Sequence, residues 1–318
     1  MCQIRARMAR RPQPVWEEEK MRVFVTGATG FIGSAVVREL IDKGHEVLGL
    51  ARSDGGAKLL VDAGAQVHRG DMEDLESLRS GAELADGVIH LAFIHDFSKF
   101  EANCAIDRRA IEALGAALAG SDRPLVITSA TGVVRTPGRP STEEDAPNSP
   151  IPRVASEEAA ASVAAGGVRV SMMRLPQVHD TVKQGLITYL IAVAREKGVS
   201  AYVGDGLNRW PAVHLLDAAR LYRLALEKGS AGVRYNAVAE EGVPLGEIAA
   251  AIGRGLKLPV VSMSAEKAGE HFGWLAAFAG FDIPASSALT QKRLGWRPTG
   301  PGLISDLDHM RYPAFLNA

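Results

Sequence analysis

Residues 25–37 read VTGATGFIGSAVV. Gly27, Gly30 and Gly33 fall between a short β-branched run, MRVFVTG at 21–27, and a stretch of helical spacing, FIGSAVVRELIDKG at 31–44. Glycine permits the tight turn and lets backbone N–H groups approach a pyrophosphate. The helix that follows offers its first N–H groups and the positive end of its dipole to the same anion. Glycines also end strands for steric reasons, so the pattern alone is weak. Here it opens a strand–turn–helix unit, which is the context the motif requires. The stretch predicts a dinucleotide site drawn from Gly27, Thr29, Gly30, Phe31, Ile32 and Gly33.

Working outward, strand and helix alternate. HEVLGLARS, AQVHRGD, GVIHLAF, DRPLVITSA and GVRVSMMRLP supply further strands, with helical patterns between them. Six strands joined by helices predict an α/β fold: a Rossmann-type, doubly wound parallel sheet over 21–176. After Pro176 the rhythm changes, and GVPLGEIAAAIGRGL and SAEKAGEHFGWLAAFAG read as helices. A smaller, mainly helical substrate-binding part is expected over 177–318, with some segments returning to the Rossmann domain. The first 20 residues, MCQIRARMARRPQPVWEEEK, have no apolar signal region and read as a disordered or extra extension.

The chain has 318 residues, 47% hydrophobic and 23% charged, with net charge −1, so no global field attracts nucleic acid or an anionic membrane. The expected partner is a small-molecule substrate. Cys2 and Cys104, the two cysteines, make neither a disulfide scaffold nor a zinc site. A reducing cytoplasm and no metal are expected. No apolar run approaches the roughly 20 residues of a membrane span.

The end of the second strand chooses the nucleotide. An acid there would bind a ribose 2′-hydroxyl and favour NAD. The chain instead reads LGLARSD, with Arg52 and Ser53 preceding Asp54. An arginine takes a 2′-phosphate through charged, forked hydrogen bonds, so NADP is expected over NAD. Asp71, after the third strand, is placed to accept from the adenine amino group with Met72 beside the ring, and it also suits a helix N-cap.

Several pieces in this order resemble the extended and atypical short-chain dehydrogenase/reductases, which include nucleotide-sugar epimerases and dehydratases. They are TGATGFIG, GDMED, GVIHLAF, Asn103 opening the fourth helix, LVITSA, Glu144–Pro147, MRLP, GDGLNRWPAVHLLD, YNAVAEEG and LGWRP. The resemblance implies a Rossmann domain, a nicotinamide cofactor, hydride transfer, and Leu91, Ala92 and Pro176 along the cofactor. It also implies a catalytic tyrosine with a lysine four residues later. At that position the chain reads RVASE, with Arg153 for the tyrosine and Glu157 for the lysine. None of the five tyrosines (189, 202, 222, 235 and 312) has a lysine four residues on.

Arginine stays protonated in proteins, so Arg153 is a poor proton donor but a good clamp for a carboxylate or phosphate. Arg153 and Glu157 are also spaced to pair on one helix face, worth about 0.2–0.5 kcal/mol. Other candidates for chemistry are Thr131 and Ser156, as hydroxyls facing a carbonyl, and His95 and His179 after the fourth and sixth strands. His214 and Asp96 are further candidates of the same kind. Asn208, Arg209 and Trp210 project from a glycine turn; the resemblance puts Arg209 on a substrate diphosphate, and Trp210 suits stacking on a flat substrate.

Three functions follow: an NADPH-dependent oxidoreductase for a carbonyl, imine or enone; a nucleotide-sugar epimerase or dehydratase; and an NADP(H)-binding redox sensor without turnover. A homodimer through helices near Ala102–Ala119 and Arg153–Ala165 is a further expectation from the resemblance.

Overall fold

The computed structural model describes residues 20–312; the extension expected over 1–20 therefore lies, but for Lys20, outside the described residues. The strands are β1 (Arg22–Thr26), β2 (Glu46–Ala51), β3 (Gln66–Arg69), β4 (Gly87–His90), β5 (Leu125–Ala130), β6 (Val170–Leu175), β7 (Gln177–His179), β8 (Ser200–Val203), β9 (Arg209–His214), β10 (Arg234–Asn236), β11 (Glu240–Pro244) and β12 (Val260–Met263). The helices are α1 (Phe31–Asp42), α2 (Asp54–Asp62), α3 (Leu75–Glu83), α4 (Phe100–Leu118), α5 (Val154–Ala165), α6 (Ile187–Lys197), α7 (Leu215–Lys228), α8 (Leu245–Leu256), α9 (Ala265–Phe272), α10 (Ala276–Ala279), α11 (Ala288–Leu294) and α12 (Leu303–His309).

A seven-stranded parallel sheet has the order β10-β6-β5-β4-β1-β2-β3. The doubly wound fold expected from the sequence is present. The chain reverses its winding between β1 and β4, which is where ligands bind in such sheets. β1 reads RVFVT and is buried on both faces. Successive side chains point to opposite faces. Val23 and Val25 therefore join one core with α1, α2 and α7, while Phe24 joins another with α3, α4 and α5.

Beyond Pro176 the chain is mainly helical, as expected, but it also holds strands that the sequence did not display. A three-stranded sheet, β11-β9-β7, and a pair, β12-β8, lie there beside the helices. These strands span only three to six residues, and β9 and β11 contain proline or glycine, which read locally as turn signals. The single helix expected over 264–280 is broken at Gly273, which takes φ +56°. A third core gathers α6, α8, α9 and α12. Meanwhile β10 completes the main sheet, and Leu294 and Trp296 pack into the core around α1 and α7. No helix among the described residues is long and apolar enough to cross a membrane.

Candidate active site

The glycine loop closes on itself where the winding reverses. Gly27 has φ +66°, and a Cβ there would lie 2.7 Å from the Ala92 nitrogen. A Cβ on Gly33 would lie 2.0 Å from the Gly27 carbonyl oxygen. The end of β1, the start of α1 and the segment after β4 can meet only without these side chains. α1 begins after Gly30 with no side-chain cap and no acid in its first turn. Thr29 and Gly30 are exposed, and Phe31 and Ile32 are half-buried. A backbone cradle with uncapped N–H groups, closed behind and open in front, fits a phosphate.

At the end of β2, Arg52 is exposed, with its guanidinium 3.9 Å from the Asp71 carboxylate. Ser53 caps α2, accepting from the Gly56 amide at 3.1 Å. Arg69, at the end of β3, reaches Asp54 at 2.6 Å. Asp71 is not the cap of α3: its side chain accepts from the Glu73 amide at 3.0 Å, and Asp74 caps the helix through the Ser77 amide at 3.2 Å. Met72 is buried beside it, while Leu91, Ala92 and Pro176 are half-buried at the ends of β4 and β6.

The residues at the start of α5 are spoken for. The Leu91 and Ala92 amides each donate to the Thr26 hydroxyl at 3.2 Å, and that hydroxyl lies 2.7 Å from His90 Nδ1. With two bonds accepted, the hydroxyl proton goes to Nδ1, which leaves Nε2–H to donate to Asp107 at 3.2 Å. The other Asp107 oxygen accepts from Arg153 and from Ser156, both at 2.6 Å. Arg153 also donates to the Thr128 carbonyl at 2.8 Å and lies 4.2 Å above the Phe93 ring. Burial works to raise the Asp107 carboxyl, but Arg153 and then His90 outweigh it and hold it at about 2.

Glu157 belongs to a second buried group. It accepts from Arg174 at 2.6 and 2.8 Å, from Arg234 at 2.8 Å and from Ser129 at 3.0 Å. Burial raises its carboxyl, and the two arginines more than reverse that. The two residues that stand for the expected tyrosine and lysine thus do not pair with each other. Arg153 is 7% exposed and Ser156 fully buried, so neither offers a clamp or a hydroxyl to a substrate. Thr131, 4% exposed, begins a short 3-10 turn after β5. Cys104 is buried nearby, and burial pushes its thiol up to about 11. Tyr222 is wholly buried, its hydroxyl 2.8 Å from Thr128.

His95 is different. Its ring is exposed, yet burial by surrounding protein lowers its pKa, with the Arg153 charge next in effect. His95 follows β4, on the same segment as Leu91 and Ala92. Phe93 and Phe97 flank it edge-on at 5.4 and 6.2 Å. Phe97 stacks on Trp274 at 4.3 Å, with planes 7° apart, and meets Phe100, Tyr189 and Phe278.

The residues expected to hold substrate from the second part lie elsewhere. Trp210 is 1% exposed in the core of α6, α8 and α12, so no substrate stacks on it. Asn208 donates to the carbonyls of Ala279 and Phe281. Arg209 spends its fork on Asp282 at 3.0 and 2.9 Å. His179 is fully buried with Nδ1 2.7 Å from Asp306, and its pKa is lowered chiefly by burial. Among the described residues no group of His, Cys, Asp and Glu is arranged to hold a metal.

Sequence reasoning missed two features. Asp107 carried no signal as the partner of Arg153, because the two are 46 residues apart. Trp274 and Phe278 lie in a stretch read as one helix, and the break between α9 and α10 brings them, with Tyr189 of α6, onto Phe97. Lys183, exposed in the loop after β7, lies 5.8 Å from the Phe31 ring and adds its charge near His95.

Known proteins share this architecture. An uncharacterized protein of Schizosaccharomyces pombe is 52% identical over 289 residues, covering 90% of this chain and 98% of its own. One from Saccharomyces cerevisiae is 46% identical over 292 residues, with the same two coverages. Among solved structures, a dTDP-glucose 4,6-dehydratase of Streptomyces venezuelae with NAD and TYD bound superposes with TM-score 0.75 over 93% of this chain and 98% of its own, at 20% identity. The model of the NAD dependent epimerase/dehydratase family matches residues 23–238, the span from β1 through β10 that builds the sheet and the glycine cradle, and the chain belongs to that family.

Proposed function

We propose that this protein is an NADP(H)-dependent oxidoreductase that acts on a small carbonyl, imine or conjugated enone without a tyrosine–lysine pair. The observation that carries this reading is the glycine cradle at the winding reversal, with Arg52 exposed at the neighbouring strand end. Gly27, Thr29, Gly30, Phe31, Ile32 and Gly33 would hold the pyrophosphate. Arg52 and Ser53, with Arg69 beside them, would hold the 2′-phosphate. Asp71 and Met72 would meet the adenine, and Leu91, Ala92 and Pro176 would line the nicotinamide end.

A nicotinamide held there supplies or takes up a hydride. His95, exposed on the segment after β4, gives a proton to the carbonyl oxygen in reduction and takes one from the alcohol in oxidation. Arg153 acts only through its neighbours: it fixes Phe93 and holds the imidazole of His95 toward the neutral form. The nucleotide-sugar reading would need Arg209 to leave Asp282. The redox-sensor reading draws support from the locked states of Arg153 and Glu157, and absence of turnover over carbonyl, imine and enone substrates would favour it.

Two results test the proposal. Arg52→Ala should weaken NADPH binding by about ten- to a hundredfold, the loss of a charged hydrogen bond of roughly 1.5–3 kcal/mol, and change NADH binding less than twofold. Calorimetric titration measures both. Equal wild-type affinities would remove the NADP preference, and no binding of either nucleotide at millimolar concentration would remove the function. The second is a pH profile. Since the folded-state pKa of His95 is lowered from 6.5, the protonated imidazole is abundant only on the acid side of that value. Carbonyl reduction at saturating nucleotide should therefore accelerate as pH falls below 6.5, and alcohol oxidation should slow over the same range. His95→Gln should flatten both limbs; profiles unchanged by it would assign the proton to another group.

A further inference from the structure

The described chain builds its cores mostly from valine, leucine, isoleucine and alanine. Aromatic residues make up 6% of the sequence. Yet Phe93, Phe97, Phe100, Tyr189, Trp274 and Phe278 come together beside His95. None is fully buried: five are half-buried, and Trp274 is 39% exposed. A large aromatic side chain is normally put to use by burying it. An aromatic wall left partly open beside an ionisable ring is an unfinished contact.

The wall adjoins the nucleotide cradle. Phe93 follows Ala92, whose nitrogen crowds Gly27. Phe97 lies two residues past His95, and its contact with Trp274 joins the β4 loop to the turn between α9 and α10. Aromatic walls also recognise cations, through the negative face of each ring. Here that choice is closed. The Arg153 guanidinium already covers Phe93 at 4.2 Å, and Arg135 covers Phe281, next to Phe278, at 3.6 Å. Lys183 adds a third positive charge near His95. A cationic guest would meet repulsion, whereas a neutral, electron-rich plane would find stacking surface. Arg209, the residue expected to hold a diphosphate, is engaged by Asp282.

We infer that the Phe97–Trp274 pair is the specificity element of this cleft, and that it selects planar conjugated carbonyl compounds by stacking, with the carbonyl oxygen directed to His95. This deepens the oxidoreductase reading and rests on it. The ring of the substrate takes the place of, or extends, the contact that Phe97 and Trp274 now make with each other.

The test compares acetophenone with cyclohexyl methyl ketone, which share the carbonyl and carbon count but not planarity. Both are titrated into NADP⁺-loaded full-length protein by calorimetry. Acetophenone should bind at least about tenfold more tightly, a difference of about 1.4 kcal/mol. Trp274→Ala and Phe97→Leu should each abolish the preference while leaving NADP⁺ affinity within twofold. Both positions are partly open, so the variants should fold; matching thermal midpoints confirm it. Equal binding of the two ketones, or a preference that survives both variants, overturns the inference. Loss of NADP⁺ binding in the wild type would instead defeat the underlying oxidoreductase reading, so the two failures are distinguishable.

Discussion

Gly33→Ala should raise the NADPH dissociation constant by at least about a hundredfold and lower stability by about 1–3 kcal/mol or more, the cost of overpacking a filled site. The reason is local and geometric. The new methyl would sit 2.0 Å from the Gly27 carbonyl oxygen, with the Gly27 carbonyl carbon at 2.8 Å and the Ala28 α-carbon at 3.0 Å. All three are backbone atoms, so no flexible side chain can move aside. The start of α1 must retreat from the loop, and its N–H groups retreat from the phosphate with it. Gly269→Ala is the control. It lies inside α9 with nothing within 4 Å of its Cβ position and no positive φ. It should stabilise by about 0.5–1 kcal/mol, the helix propensity difference, and leave binding unchanged. Calorimetric titration and thermal melts separate the two effects. An alanine at position 33 that binds with wild-type affinity would show that the phosphate is held elsewhere.

That prediction rests on a motif the sequence displays openly, because a glycine turn and its flanking strand and helix are local in the chain. The same holds for the first six strands of the sheet, whose buried runs are marked by β-branched residues. It fails for β10, since three residues, RYN, carry no period of their own and pair only because β6 offers an edge. It fails also for the small sheets around Trp210. There, glycine and proline sit inside strands, and the projecting turn that suggested a substrate-facing tryptophan turns out to bury it. The cleft was legible on one side only. His95 follows a strand end and can be named from the sequence with its neighbours Phe93 and Phe97, but Tyr189, Trp274 and Phe278, which pack on Phe97, come from more than 90 positions away. Arg153 and Glu157 were seen as replacements. Their partners Asp107, Arg174 and Arg234 were not, since each lies on another element and long-range ion pairs leave no trace in local spacing.

Those partners decide what restoring the expected lysine would do. Glu157→Lys should leave the protein largely unfolded rather than restore a proton relay. Glu157 is 1% exposed and holds both Arg174 and Arg234 by direct hydrogen bonds. Removing one member of a buried pair costs about 3–5 kcal/mol, and a third cation in its place adds like-charge repulsion. A domain with a total stability of about 5–15 kcal/mol tolerates little of that. Arg153→Met makes a gentler version of the same experiment at the tyrosine's position. It keeps the bulk over Phe93 but strips Asp107 of its guanidinium, and should cost about 3–5 kcal/mol near neutral pH. The pH dependence identifies the cause. In the wild type the Asp107 pKa is held at about 2, below its unfolded value, so its contribution is complete above roughly pH 4 and is lost as pH falls toward 2. Without Arg153, burial acts with less opposition and raises the carboxyl. The variant's deficit should then shrink as pH falls from 7 toward 5, where the carboxyl can take up a proton. Denaturant melts across that range measure it. A deficit independent of pH would mean that Arg153 stabilises by packing on Phe93 alone. A tyrosine and lysine introduced at 153 and 157 with no loss of stability would show that the buried charges are not what fixes this end of α5.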